Sequence, residues 1–353
     1  MPKTSVGREY QHLEDLVYVE GSRGALHAVD FLEKLVYDSS SVSVKWDGGI
    51  VLYWGRDDRG NFVMINKNGW GRCAATSADQ LVHFILSTGK NESWRESFAE
   101  QMRCIFAILE NATPVWHRGY IKGDVLWHPR KPALINNGEI VFTPNQVAYS
   151  VEKNSQLGQQ IAASQLGIAA HGLYLAFGSD HCEPITKIVQ LDHPDVVVFG
   201  QTSVAECVAV DTQQLLEIKT RILATATAID QVLEKRPGLS DIKNIIYAYV
   251  NYLVKKDKFD QIEFYFAEWL AQSNLSNNKK QRLFELTASH NGLTLMFGLV
   301  KALAQFKEKV IHTIDRIYQQ KTDAVKFKNY GEGYVCATNK IKLVPRSHWK
   351  PRQ

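Results

Sequence analysis

The sequence predicts an α+β fold, because segments with strand periodicity flank one long helical segment. Short β-branched runs alternate with turns through roughly the first two hundred residues. From about 213 to 322, strong helix formers dominate and Gly and Pro become rare. Strand-like runs return at 332–337 and 340–344. A β-rich frame around one helical segment indicates a single α+β domain that carries an insertion.

The elements of the N-terminal half follow from the spacing of apolar residues. Helical spacing predicts helices over 24–37, 77–87 and 92–111. Period-two alternation between turn sequences predicts strands at 41–44, 50–54, 62–66, 120–127, 139–143, 148–151 and 172–177, with a further β-rich stretch at 196–210.

The C-terminal half is predicted to be helical before the closing strands. The predicted helices are 213–235, 240–256, 259–272, 277–288 and 292–321. We therefore expect a core formed by 1–204 and 326–353, with an inserted helical subdomain at 205–325.

Composition narrows the class of protein. The net charge of +4 is too mild to indicate a polyanion partner by itself. The five cysteines are scattered without a C-x-x-C pair, which is typical of buried thiols in a reducing compartment. No signal peptide or membrane-spanning run is evident, so a cytoplasmic protein without a membrane partner is expected. The oligomeric state is not encoded in any pattern.

The most informative motif is Lys45-Trp46-Asp47-Gly48-Gly49, which follows the strand predicted at 41–44. A lysine at a strand end before Asp-Gly can be directed into a cleft, where a desolvated amine becomes a nucleophile. The glycines would let the backbone approach a ligand closely. The alternative is an ordinary exposed hairpin turn, with Trp46 as a packing residue.

Three further polar clusters stand at predicted strand ends. They contain Lys67 and Arg72, then Asp124, and finally Glu332 followed by Lys340 and Lys342. Each has a structural alternative: Arg72 could cap a turn, Asp124 and Glu332 could be turn residues, and the two C-terminal lysines could form a solvated strand face. His171 and His181 have no second ligand at useful spacing and are interpreted as structural or surface residues.

The order of these clusters resembles the covalent nucleotidyltransferase superfamily, which includes ATP-dependent DNA ligases, RNA ligases and mRNA capping enzymes. Lys-x-Asp-Gly, an Arg-Asn-Gly-like element, an acidic strand, Glu-Gly and Lys-x-Lys occur there in the same sequence. The phrases beginning at Glu9 and Val141 are also similar to ligase-like proteins of tailed bacteriophages. The resemblance covers about 1–180 and 325–345.

The resemblance implies a ligase-type nucleotidyltransferase domain of antiparallel sheets and helices. It implies that Lys45 carries AMP and that catalysis also uses Asp47, Lys340 and Lys342. It implies that ATP is contacted by Lys45, Gly48, Lys67, Arg72, Asp124, Phe142, Glu332, Lys340 and Lys342, and Mg²⁺ by Asp124 and Glu332. Phe142 is also a candidate core residue. Cationic neighbours such as Lys340 and Lys342 would lower the pKa of the nucleophile.

The implied function is an ATP-dependent polynucleotide ligase that seals nicked or broken nucleic acid, with DNA favoured over RNA. Its compartment would be the host cytoplasm if a phage encodes it. One alternative is a non-catalytic nucleic-acid-binding protein with the same fold. Another is a different nucleotidyltransferase, of capping or protein-modifying type.

The sequence also departs from the family pattern. Ile50 stands where DNA ligases usually carry an arginine, and the acidic strand contains Lys-Gly-Asp in place of Asp-Gly-Glu. Only eleven residues follow Lys342, so no C-terminal OB-fold is expected.

The helical segment is a candidate nucleic-acid clamp, because aromatic residues alternate with lysines and arginine there. The alternative is a small bundle whose lysines only solvate it. The residues in question are Lys255, Lys256, Lys258, Lys279, Lys280, Arg282, Lys301, Lys307 and Lys309, with Tyr247, Tyr249, Tyr252 and Trp269.

Overall fold

The protein has a mixed α+β structure, which confirms the predicted class. A computed structural model describes residues 10–88, 93–185, 191, 193–200, 207–289, 291–319, 325–328, 331–336 and 338–346. Parts of the elements predicted at 92–111, 196–210, 292–321 and 332–337 lie outside the described residues.

The strands and helices are numbered in chain order. The strands are β1 (Gln11–His12), β2 (Val42–Val44), β3 (Ile50–Arg56), β4 (Phe62–Asn66), β5 (Gly119–Trp127), β6 (Leu134–Asn136), β7 (Glu139–Phe142), β8 (Tyr149–Glu152), β9 (Leu166–Tyr174), β10 (Glu183–Pro184), β11 (Val196–Phe199), β12 (Lys326–Phe327), β13 (Tyr334–Cys336) and β14 (Ile341–Leu343). The helices are α1 (Leu16–Glu20), α2 (Ser22–Lys34), α3 (Ala78–Ser87), α4 (Trp94–Ala112), α5 (Gln156–Ala163), α6 (Thr212–Leu233), α7 (Ile242–Lys255), α8 (Phe266–Gln272), α9 (Asn277–Ser289) and α10 (Gly292–Gln319).

Several segments differ from the sequence-based expectation, among them the helix predicted at 259–272, where the structure has a short 3-10 turn at Phe259–Gln261 and α8. The strand predicted at 172–177 is β9, which begins at Leu166. Glycines at 167 and 172 weaken its local strand signal, and pairing with β5 and β11 on either side forms the strand. Helix α5 was not predicted, because it is short and polar. Its Ser155 cap accepts a hydrogen bond from the Gly158 amide at 3.0 Å.

The chain forms two compact units. The first is Met1–Ser43, Ser203–Ile317 and Glu332–Gln353, and the second is Val44–Thr202 and Tyr318–Gly331. The helices predicted as an insertion therefore share a unit with both chain ends, because α6 packs on α2 and α10 is joined to Glu14 by a buried ion pair. That the helical segment is an insertion into a ligase-type core stays a prediction.

The second unit is built on two sheets. The larger has the order β10-β9-β5-β3-β4, with β11 parallel to β9, and the smaller has the order β12-β8-β7-β6. Helices α3 and α4 cover the larger sheet, where Trp54 and Ile121 join Met102 and Ile105 in one core. Ser77 caps the start of α3, and its side chain accepts a hydrogen bond from the Gln80 amide at 3.3 Å.

The first unit combines the sheet β1-β14-β13-β2 with helices α1, α2 and α6 to α10. Strand β1 runs parallel to β14, and β13 runs antiparallel to it. The start of α2 is tied to α6, because the Ser22 amide and hydroxyl both donate to the Asp230 carboxylate at 2.7 Å. Among the described residues, we find no helix with the length and apolar character needed to cross a membrane.

A buried ionic cluster joins three segments of the first unit. The Lys307 ammonium of α10 donates to both Glu14 carboxylate oxygens at 2.7 Å. The Arg346 guanidinium donates to Glu14 at 2.5 Å and also contacts Asp15. All four side chains are nearly inaccessible to solvent. Burial of charge is tolerated only because each charge has a partner.

The cluster shifts the acid–base equilibria of its members. Burial by itself raises the pKa of Glu14, but the Lys307 and Arg346 cations outweigh burial and lower it to about 2. Burial raises the pKa of Asp15, and the Arg346 cation only partly offsets this effect. Glu14 is therefore the carboxylate that the cations hold in its charged form.

Replacing Glu14 should destabilise the protein strongly at neutral pH. In Glu14→Gln, Lys307 and Arg346 stay buried without their shared carboxylate, so we expect a loss of about 3–5 kcal/mol in the free energy of unfolding, measured with urea. The control is Lys219→Met, which breaks solvent-accessible contacts to Asp30 and Glu33 and should cost less than about 1 kcal/mol. Equal losses in the two variants would contradict this prediction.

The stability difference between wild type and Glu14→Gln should also depend on pH. The pKa of Glu14 is about 2 in the folded protein and has an ordinary value of 4.5. Its stabilising contribution is therefore complete above pH 4.5 and is lost as the pH falls toward 2. Urea titrations at several pH values should show the difference shrinking over that range. A constant difference would show that the Glu14 charge is not its source.

Candidate functional site

The Lys45-Trp46-Asp47-Gly48-Gly49 segment lies directly after β2, at the start of the second unit. The Lys45 side chain is half-buried. Trp46 is buried, with its ring centroid 5.1 Å from that of Tyr149 and 4.9 Å from that of Phe199. Trp46 is thus the packing residue that the sequence allowed, and it anchors the lysine turn.

Asp47 fixes this turn to the loop that precedes β8. Its carboxylate accepts hydrogen bonds from the Asn145 side-chain amide at 2.8 Å and from the Gln146 and Val147 backbone amides at 2.6 and 2.8 Å. Its own amide donates to the Tyr149 hydroxyl at 2.7 Å. Asp47 was predicted as a catalytic residue, and these contacts give its buried carboxylate a positioning role.

The two glycines of the motif lie against neighbouring chain segments. A Cβ atom on Gly48 would lie 2.1 Å from the Cβ of Asp124, and one on Gly49 would lie 2.6 Å from the Pro144 carbonyl oxygen. Only glycine fits at such distances. The Gly49 amide also donates to the Val125 carbonyl at 3.1 Å. The structure thus brings Asp124 against the turn that carries Lys45.

Asp124 has a neighbour that the sequence analysis did not select. Its Oδ2 lies 3.0 Å from Nε2 of His171, and the two side chains are 18% and 31% exposed. His171 was interpreted as a structural or surface residue, and the structure places its ring beside Asp124. No sequence spacing could reveal this pair, because β5 and β9 are joined only by tertiary pairing.

Lys67 and Arg72 lie on the loop after β4, and both side chains are exposed. The Lys67 amide donates to the Val51 carbonyl at 3.2 Å, and Val51 is the cross-strand neighbour of Asp124. Strand β3 therefore lies between Lys67 and the strand that carries Asp124. The Arg72 amide closes a turn on the Gly69 carbonyl at 2.8 Å, which supports the turn alternative for its backbone.

Phe142 occupies the core, the second of the two roles that the sequence allowed. Its ring stacks on Tyr149 at 5.3 Å and packs on Trp127 at 4.8 Å, and only 2% of the residue is exposed. No ring face is open to a nucleobase in this conformation. This burial favours the core role, and the contact between Phe142 and the nucleotide stays a prediction.

Glu332, Lys340 and Lys342 belong to the first unit. Lys340 was predicted on the strand face with Lys342, but it lies in the turn before β14 with a φ of 53°. Its carbonyl accepts a hydrogen bond from the Gln11 amide at 2.9 Å. Lys342 lies within β14 and is half-buried, as is Glu332 in the segment before β13. Their proposed nucleotide contacts stay predictions.

Many of the basic side chains assigned to the helical clamp contact groups of their own unit. Lys307 is buried against Glu14, and Tyr249 is buried with its hydroxyl donating to the Ile262 carbonyl at 2.6 Å. Lys279 donates to Asp241 at 2.6 Å, and Lys280 donates to the Ala271 carbonyl at 2.7 Å. Lys301 lies 3.7 Å from Glu263, and Lys309 donates to the Gln214 side chain at 2.7 Å. These contacts favour the bundle alternative for much of this surface.

The described residues contain no group of three or more His, Cys, Asp or Glu side chains placed to hold a metal ion. Magnesium commonly uses only one or two protein carboxylates, and phosphate oxygens and waters complete its octahedron. Asp124 is accessible and lies beside the lysine turn. It therefore fits the role of a single carboxylate ligand for a metal–nucleotide complex.

A family of unknown function, DUF6267, matches residues 9–350. Because this match spans almost the whole sequence, the chain belongs to that family. No curated protein matches the chain. No solved structure matches it either.

Removing the Asp47 carboxylate should destabilise the second unit. Asp47→Ala leaves the Val147 amide buried without its acceptor, so we expect the free energy of unfolding to fall by roughly 2–4 kcal/mol in urea titrations. The matched control is Asp57→Ala, since Asp57 also accepts three hydrogen bonds, from Arg59 and Asn61, but in a solvent-exposed turn. A loss at Asp47 no greater than that at Asp57 would refute the role assigned to its burial.

Proposed function

We propose that this member of the DUF6267 family is an ATP-dependent nucleotidyltransferase of ligase type that joins nucleic-acid strands, with DNA favoured over RNA. The observation that carries the proposal is the contact between Gly48 and Asp124. It brings the acidic strand beside the turn that carries the candidate nucleophile Lys45. The order of the sequence clusters adds independent support.

The proposed first step forms a bond between the Lys45 amine nitrogen and the α-phosphorus of ATP. The bond from this phosphorus to the bridging oxygen breaks, pyrophosphate leaves, and the amine nitrogen loses a proton to solvent. An oxygen of a 5′-phosphate then bonds to the adenylyl phosphorus, while the N–P bond breaks and the Lys45 amine takes up a proton from solvent. Finally a 3′-hydroxyl loses its proton to solvent, its oxygen bonds to the 5′-phosphorus, and AMP leaves. Lysine must be neutral to attack, while its ordinary pKa is near 10.4.

The residues around Lys45 suit a positioning task. Trp46 and Asp47 hold the turn on both sides, through ring packing and through hydrogen bonds to the 145–147 loop. Lys67 and Arg72, on the loop after β4, have exposed cationic side chains that are available to contact phosphates. Ile50 packs on the core, so ribose recognition requires another group, for which Asp124 is the candidate.

Mg²⁺ would neutralise charge that develops on the phosphates, with Asp124 and, by the family resemblance, Glu332 as its protein ligands. The contribution of the second unit is to hold Asp124 and the Lys45 turn in place. Geometry within the second unit supports this role for Asp124.

A covalent adduct test addresses the proposal directly. Purified protein incubated with α-labelled ATP and Mg²⁺ should retain label on the chain, and Lys45→Met should abolish it, because methionine has no amine. Lys153→Met, at an exposed lysine of the same unit, should retain the label. Labelled GTP in a parallel reaction tests for capping-type chemistry.

The substrates decide between the remaining alternatives. Sealing of nicked duplex DNA or RNA, dependent on Lys45, supports the ligase. An adduct without sealing of either substrate favours transfer of the nucleotide to a cap or a protein. A gel shift of nicked duplex without adduct or sealing would contradict the proposal and favour a non-catalytic binding protein.

A further inference from the structure

His171 occupies an irregular position in the larger sheet of the second unit. On β5, Lys122 pairs with Gly172 and Gly123 pairs with Ala170, so His171 is an extra residue on β9 with no cross-strand counterpart. Such a β-bulge redirects the side chain of the extra residue, and bulges are common beside active sites. The bulge here coincides with the histidine that reaches Asp124.

The contact between His171 and Asp124 is short. Nε2 of His171 lies 3.0 Å from Oδ2 of Asp124, which is close enough for the imidazole to restrain the carboxylate. Asp124 is restrained from a second side, because Gly48 packs against its Cβ and Cγ. Two contacts on one short side chain limit the rotation of its carboxylate.

The pair formed by His171 and Asp124 differs from a buried structural pair. Both side chains keep partial access to solvent, and the pair lies beside the Lys45 turn. A second histidine–aspartate pair in the same unit, His193 and Asp195, has a wider separation of 3.7 Å and lies before β11. It provides a natural comparison of similar chemistry and exposure at another place.

We propose that His171 is a positioning residue that orients Asp124 to accept a hydrogen bond from the ribose of the bound nucleoside triphosphate, and that it thereby favours ATP over 2′-deoxy-ATP. This inference rests on the proposed function for its substrate. The structural support for it is that His171 lies at a β-bulge and contacts Asp124, which is itself held against the Lys45 turn. A carboxylate that accepts from the ribose 2′-hydroxyl distinguishes the two nucleotides, because dATP lacks this group.

The test compares three variants in the lysine-adenylylation assay. His171→Leu removes the N–H donor, His171→Gln keeps an N–H at similar reach, and His193→Leu is the matched control. For His171→Leu we expect kcat/KM with ATP to fall on the order of tenfold, chiefly through KM, as for a lost hydrogen bond to a charged group. Its ratio of kcat/KM for ATP to that for dATP should fall toward one.

Comparing the nucleotide preference of the variants distinguishes a positioning role of His171 from general structural damage. His171→Gln should restore most of the ATP preference, and His193→Leu should keep the wild-type ratio. Equal preference in wild type and His171→Leu would overturn the inference, as would loss of preference in His193→Leu. A changed Mg²⁺ requirement with an unchanged nucleotide ratio would leave Asp124 with its metal role alone and overturn the inference too.

Equilibrium binding distinguishes failure of this inference from failure of the proposed function. Calorimetric titration with ATP and dATP needs no turnover. If wild type binds ATP but forms no Lys45 adduct, the proposed function fails, and the same order of variants in ATP preference still supports His171. If wild type binds neither nucleotide, both proposals fail.

Discussion

The candidate site depends on a steric constraint at Gly48. Because this residue has no Cβ, the turn after β2 can lie against the side chain of Asp124, and any larger residue would collide with it. The contact joins the turn after β2 to β5, the central strand of the larger sheet. The positions of Lys45, Asp47 and Asp124 relative to one another follow from it.

The two aspartates at this place have different environments, and these environments suggest different roles. Asp47 is buried and accepts three hydrogen bonds from one loop, so its charge is used to hold structure. Asp124 keeps access to solvent and lies beside the His171 imidazole. A carboxylate that is satisfied by backbone amides suits positioning, whereas one that is restrained but accessible suits ligand contact.

Many charged side chains of the first unit contact other groups of the same unit and so stabilise its structure. Lys307 and Arg346 neutralise Glu14 and Asp15 inside the unit, and several lysines of the helices contact neighbouring carboxylates and carbonyls. A count of basic residues therefore overstates the surface that could bind nucleic acid. The exposed cations near the site, Lys67 and Arg72, belong to the second unit.

By itself the sequence determined the α+β class and most of the elements, because hydrophobic periodicity is local: β4 has the predicted bounds 62–66, and α3 differs by one residue at its start. It also selected Lys45, Asp47, Gly48 and Asp124 as residues of interest. Tertiary structure alone decided that β9 begins at Leu166, that Phe142 lies in the core and that His171 reaches Asp124. Strand pairing and the bulge set these features, and both arise from contacts between segments that are distant along the chain, which no local pattern of residues records.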